Sequence, residues 1–325
     1  VLAQAPHRDH QTPPDEALEL YQEYSGKTVL RSPNLPSLAE FNKPIPSSDT
    51  NGMRIVLEND LLNKGIELIP LRDDIVMAVE SGWKNSPTAN YIGTIQPRPA
   101  RVSVSASNVS ASNDGKPAEE SIPPGTIYFS GADINQFLDL YAMLLNRSLL
   151  RAPINSSTFK LHTQTPFTKS AVMYLLEVAL ALNGIASVDD GTNFVQIVPI
   201  SRIANLKLGA PQRNPDEPLL DPKTVREFSY RHSFAPGPGR QTSTQGTAND
   251  MVGYYAELTG RAASASKVTG PWPIFRAQTP LTKTEVLYAI ETTLALNGVA
   301  IINEDDKTIR AEYVDERAEA AKKSQ

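Results

Sequence analysis

Cysteine is absent from all 325 residues. Disulfides, thiolate nucleophiles, cysteine-based zinc sites and lipidation on an N-terminal cysteine are therefore excluded. Histidine is scarce, with 4 in the chain. No apolar run approaches the roughly 20 residues a helix needs to cross a bilayer, and no series of amphipathic strands of membrane length is visible. Positive charge is not in excess either. A net charge of -5 and a pI near 5.5 offer no attraction to nucleic acid or to an anionic membrane surface. Reaction motifs are missing too: there is no Gly-x-Ser-x-Gly elbow, no Walker loop and no dinucleotide fingerprint.

What the chain does have is repetition, which is sought before any motif because it decides the fold. Gln164-Thr-Pro-Phe-Thr-Lys169 answers to Gln278-Thr-Pro-Leu-Thr-Lys283, and Ala181-Leu-Asn-Gly184 to Ala295-Leu-Asn-Gly298, both at an offset of 114 (278 − 164). At that offset Tyr141 matches Tyr255, Arg147 matches Arg261, Tyr174 matches Tyr288 and Glu177 matches Glu291. An earlier copy lies at an offset of 120 (138 − 18), where Leu138-Asp-Leu-Tyr141 answers to Leu18-Glu-Leu-Tyr21 and Leu150-Arg-Ala-Pro153 to Leu30-Arg-Ser-Pro33.

The middle copy predicts its elements most clearly. A strand at Thr126–Ser130 leads into a helix at Asp133–Asn146, whose Ile134, Phe137, Leu138, Tyr141, Leu144 and Leu145 share one face. Strands at Ser148–Ala152 and Thr158–Gln164 follow, then a helix at Thr168–Asn183. That helix starts at a capping threonine, and Thr282-Lys-Thr-Glu285 in the last copy is a capping box. Val172, Leu176, Ala179 and Leu182 form its buried stripe, mirrored by Val286, Ile290, Thr293 and Leu296. Asn183-Gly184 and Asn297-Gly298 end the helices, and hairpins such as Ile185–Val188 with Asn193–Val198 close each copy. The opening strand of the first copy would fall near His7–His10.

The fold class expected is α+β: three repeated small domains, each two helices packed on a small mixed sheet in the order strand-helix-strand-strand-helix-hairpin. Residues 14–83, 126–203 and 241–314 are the three modules. Residues 84–125 read as a Ser/Pro-rich linker, with Val102–Val109 its only strand-like piece. Residues 204–240 read as a Pro-rich linker in which Val225–Phe234 adds a strand to the last module. Residues 1–13 are a tail, with Val1–Ala5 reading as the remnant of a signal peptide cleaved after Ala3-x-Ala5. Residues 315–325 are a polar tail.

His7, Asp9 and His10 have metal-ligand spacing but sit in the tail, where nothing pre-positions them. His162 and His232 read as solvated strand residues. Gly237-Pro-Gly239 reads as a loop, and the pairs Asp189-Asp190 and Asp305-Asp306 as turn residues. No module carries the Gly-x-x-Gly clamp of KH-type RNA binders. The pairs Lys169/Lys283, Arg147/Arg261 and Glu177/Glu291 are the exposed candidates for recognition. No catalytic, cofactor-binding or metal-binding residue is assigned, and no cofactor is expected.

Gly131-Ala-Asp-Ile134, an apolar helix and Asn146-Arg-Ser-Leu-Leu150 make one half of the unit. A strand, Thr-Pro-x-Thr, a helix ending Leu-Asn-Gly and a hairpin make the other. This unit resembles the short N-terminal periplasmic domain of bacterial secretins and TonB-dependent receptors, present here three times. The resemblance implies a non-catalytic scaffolding and protein-docking region in the envelope machine of a type II secretion or type IV pilus system. It implies a periplasmic location, with outer-membrane association through a further C-terminal domain. The implied partners are an inner-membrane secretion or pilus assembly component, or neighbouring copies in a homo-oligomeric ring. Neither nucleic acid nor a membrane span in this chain is implied. The alternative is a sensor or ligand-binding protein, as in the signalling domains of TonB-dependent receptors. Three such units with long linkers depart from the usual secretin arrangement.

Overall fold

The structure is a computed structural model, and it describes residues 14–36, 49–98, 121–154, 158–191, 193–229, 246–264, 268 and 273–314. His7, Asp9, His10, His232, Val102–Val109, Gly237–Gly239 and both tails lie outside the described residues.

The chain opens with α1 (Pro14–Ser25), β1 (Thr28–Arg31), α2 (Thr50–Asn63), β2 (Ile66–Arg72), β3 (Ile75–Glu80) and α3 (Pro87–Ile92). Next come β4 (Ser121–Ile122), β5 (Tyr128–Asp133), α4 (Ile134–Leu145), β6 (Ser148–Arg151), β7 (Thr158–His162) and β8 (Phe167–Thr168). The helix α5 (Lys169–Leu182) leads to β9 (Ile185–Asp190) and β10 (Phe194–Pro199). The rest is β11 (Leu219–Leu220), α6 (Ala248–Thr259), β12 (Ala262–Ala263), β13 (Leu281–Thr282), α7 (Lys283–Leu296), β14 (Val299–Asn303) and β15 (Thr308–Tyr313). The class is α+β.

Three sheets of three strands have the same order: β1-β3-β2, β6-β10-β9 and β12-β15-β14. In each, a hairpin supplies the antiparallel pair and the earlier strand joins its second arm in parallel. The helices that enter the hairpins end alike. Asn183 and Asn297 are C-caps, and Gly65, Gly184 and Gly298 follow at φ of 81°, 73° and 74°, a left-handed turn that a Cβ would strain. Asn146 takes φ of 52° after α4, where Gly26 and Gly260 stand after α1 and α6.

The sequence reading placed the opening strand and Thr158–Gln164 in the module's own sheet. Instead β5 pairs with β7 as a separate antiparallel pair, with a register shift between Ser130 and Ala132. The intervening Gly131 is at φ of 136°, so the kink uses a conformation open to glycine.

The chain divides into two compact units, one of residues 1–137 with 157–183, the other of 138–156 with 184–325. The first unit has a core of Leu18, Tyr21, Val29, Leu57, Leu61, Ile66 and Val76. Met53, Leu57 and Leu61 are the buried stripe of α2, spaced by four. Phe137 stacks on Phe159 at 4.1 Å beneath β5 and β7. Helix α5 buries 11 residues, Ala171–Met173 and Leu175–Leu182, far more than the predicted stripe. The reason within this unit is double cover, since α3 and β1 both pack on it. α3 lies inside the stretch read as linker. Ser86 caps it by accepting from the Ala89 N–H, and Pro87 opens it.

In the second unit α6 packs against α7, and α7 against β6 and β14. Both helices start with capping boxes, Thr247 with Asp250 and Thr282 with Glu285. The predicted stripe Val286, Ile290, Thr293 and Leu296 is buried. Of the strand expected in Val225–Phe234, the described residues 225–229 show one bridge, Phe228 to Phe275, the rest lying outside the described residues, and β11 pairs with β13.

Candidate functional site

A cavity of about 440 Å³ lies in the first unit. Its walls come from α1, which supplies Glu19, Gln22 and Glu23, from β1 with Val29 and Arg31, and from β5 and β7. Gln22 turns inward because its Oε1 accepts the Val29 N–H at 3.0 Å, closing the α1–β1 corner. Arg31 stands 4.0 Å from Glu19. On the opposite wall His162 meets Tyr128 edge-on at 5.2 Å, and its Nδ1 lies 3.1 Å from Gln164 Nε2. His162, read as a solvated strand residue, is thus half-buried on a cavity wall. Carboxylates, cations, an imidazole and the hydroxyl-bearing Tyr128 and Ser130 share this cavity, which is a lining suited to polar recognition.

The predicted recognition pairs separate. Arg147 is 3 % exposed and donates both guanidinium arms to Asp189 at 2.7 Å, with a further donation to the Gly191 carbonyl. Glu177 is buried and paired with Arg98 at 2.8 Å. Both were expected on the surface. A bidentate fork and a buried ion pair hold them inside their units instead. Arg261 reaches Asn303, Glu291 accepts from the Tyr255 hydroxyl, and Lys283 is exposed. Lys169 is half-exposed.

The turn aspartates also separate. Asp305 and Asp306 are exposed, and Asp305 accepts the Lys307 N–H at 2.7 Å. Asp190 is different. It is buried and accepts from the Gly209 and Ala210 amides at 2.9 and 3.1 Å, from Gln196 Nε2 and from the Tyr288 hydroxyl. Beside it Glu285 accepts from Arg213, Asn193 and the Thr282 N–H. This pair pins residues 209–213 of the Pro-rich segment onto the unit, and Gln196 Nε2 donates to the Lys207 carbonyl at 3.0 Å. The Tyr288 phenol is pushed up, first by burial and then by its bond to Asp190. Only the capping role of Glu285 was visible in the sequence. The partners of Asp190 come from distant segments, so no local pattern marks it.

Among the described residues, no group of three or more His, Cys, Asp or Glu is placed to hold a metal ion. No described helix is long and apolar enough to cross a membrane.

One contact recurs. In the first unit the Gln164 N–H donates to Thr28 Oγ1 at 3.1 Å, and in the second the Gln278 N–H donates to Ser148 Oγ at 3.1 Å. Thr28 and Ser148 begin equivalent strands, and Gln164 and Gln278 precede equivalent helices. Comparison of the chain with protein-family models, with curated proteins and with solved structures finds no match.

Proposed function

We propose that the chain is three like α+β modules in series and serves as a non-catalytic scaffold and docking region in a secretin-type envelope machine. In this reading it works in the periplasm of a Gram-negative-type bacterium, in a type II secretion or type IV pilus system. Its partners are an inner-membrane assembly component and neighbouring copies of itself. The observation that carries the reading is the strand order common to the three sheets, together with the same hydroxyl-to-amide contact at Thr28–Gln164 and Ser148–Gln278. In this reading the contact, made twice at the same place, joins each module to the one before it. The carboxylates that meet in the second unit are saturated by amides and by Arg213, which suits structure rather than turnover.

Photo-crosslinking in the native cell tests it, with the crosslinker at Tyr128 or Met143, both 63 % exposed. Cross-links to an inner-membrane assembly component, from a periplasmic fraction, are expected. Recovery in the cytoplasm, or no envelope partner from either position, overturns the reading.

The cavity of about 440 Å³ favours a second reading, ligand capture. Under it, a small zwitterion such as an amino acid raises the unfolding temperature, and Arg31→Ala removes that rise.

A further inference from the structure

Helices α5 and α7 each lay one face on a sheet that precedes them in the chain. In the second unit the ring of Tyr288 lies 5.6 Å from that of Phe194, and its hydroxyl donates to Asp190. Further along, Asn297 Nδ2 donates to the Arg151 carbonyl at 2.9 Å. In the first unit α5, which carries Tyr174, the counterpart of Tyr288, packs on β1. Counting back from Gly65, Gly184 and Gly298, Ile55 of α2 stands where the half-buried Tyr174 and Tyr288 stand, and Leu62 where Ala181, buried, and Ala295, exposed, stand.

On α2 that face is uncovered. Asn51, Ile55, Val56, Asn59, Leu62 and Asn63 are all exposed, with Ile55, Val56 and Leu62 at 50, 54 and 56 %. None of the six is charged. The charges of α2 sit on its flanks and pair with one another, Arg54 with Glu58 at 3.9 Å and Lys64 with Asp60 at 3.7 Å. A helix that faces water normally carries its charges outward. Here three large apolar side chains, Ile55, Val56 and Leu62, stand exposed among three asparagines, an uncharged face of the kind that marks an interaction surface.

The complementary surface is uncovered on the third sheet. Thr28 and Ser148 are 0 % exposed, whereas Ala262, at the same strand position, and Ala263 are exposed. The hydroxyl is gone from the strand side, just as the tyrosine is gone from the helix side.

From these two surfaces we infer that the outer face of α2 docks on the β12 edge of the third sheet of a second copy, head to tail. The contact continues the packing that α5 makes on β1 and α7 makes on β6, and it rests on the three-module reading above. Such a contact joins unlike surfaces, so it builds rings or filaments rather than closed twofold dimers.

Sedimentation equilibrium of the full chain tests it, using Ile55→Glu and Ala262→Glu, both at exposed positions. Wild type should gain mass with concentration up to about 100 μM, where a specific interface of modest affinity is populated. Each variant should stay at the one-chain mass with an unchanged unfolding temperature. A one-to-one mixture should reach the two-chain mass and stop, because each variant keeps the half that the other lacks. Should Ile55→Glu lower the unfolding temperature, Leu62→Gln replaces it. A wild type at one-chain mass throughout overturns the inference, as does association that Ala262→Glu leaves intact or a mixture that stays monomeric. A monomeric chain that still cross-links to an envelope component overturns this inference, and with it the self-assembly part of the functional reading, but leaves the docking part standing. Self-association without envelope cross-links overturns the functional reading alone.

Discussion

Tyr21 and Tyr255 occupy equivalent places on α1 and α6, and each donates its hydroxyl to a glutamate on the following helix, Glu58 and Glu291. Burial, reinforced by the carboxylate, raises both phenols from 10.0 to about 12. A phenol harder to ionise in the folded chain than in the unfolded one stabilises the fold fully below pH 10. That contribution is lost as pH rises through about 12. Urea midpoints should therefore fall across that window, and the double variant Tyr21→Phe/Tyr255→Phe should show a shallower fall from a lower starting stability. An equal slope in both proteins would remove the assignment. Asp190 is the other residue on which much converges. Asp190→Asn turns an amide N–H₂ toward groups that are themselves donors, so a loss of about 2–3 kcal/mol is expected from equilibrium unfolding. Asp189→Asn, at a side chain 57 % exposed, should cost less.

At the scale of elements, the two equivalent junctions make a paired prediction. Thr28→Val and Ser148→Ala each remove the acceptor for a backbone N–H, of Gln164 and of Gln278. Stranding a donor there should cost about 1–3 kcal/mol at either site. Similar losses from two positions 120 residues apart (148 − 28) would mark the junctions as the same device; a loss at only one would not. The three second helices share capping and length but not environment. α2 buries only Met53, Leu57 and Leu61, while α5 is buried almost all round. Apolar face width follows what packs outside each helix, not its own propensity.

For the whole molecule, the nature of the proposed head-to-tail contact sets how it responds to conditions. No charge lies on the six exposed residues of the α2 face. Association should therefore change little between about 50 and 500 mM salt, where screening would erase a surface ion-pair contact. It should weaken on cooling, as burial of apolar surface does. Sedimentation at two salt concentrations and two temperatures reads both; a strong salt dependence would assign the contact to other residues.

Much of this was legible in the chain itself. The helix and hairpin boundaries, the caps at Thr168 and Thr282 and the stops at Gly184 and Gly298 all follow from neighbours within a few residues. Local patterns carry them because caps, turns and periodic faces are local physics. The helix α3 was within reach by the same logic, since Ser86-Pro87 is a start signal. Other features depend on which surfaces meet. Arg147 and Glu177 went inside, β5 pairs with β7 apart from the three-stranded sheets, and residues 209–213 were tied to Asp190 and Glu285. The bareness of α2 and β12 belongs with these. Covering a face needs a partner distant in sequence, and only the folded chain decides which faces find one.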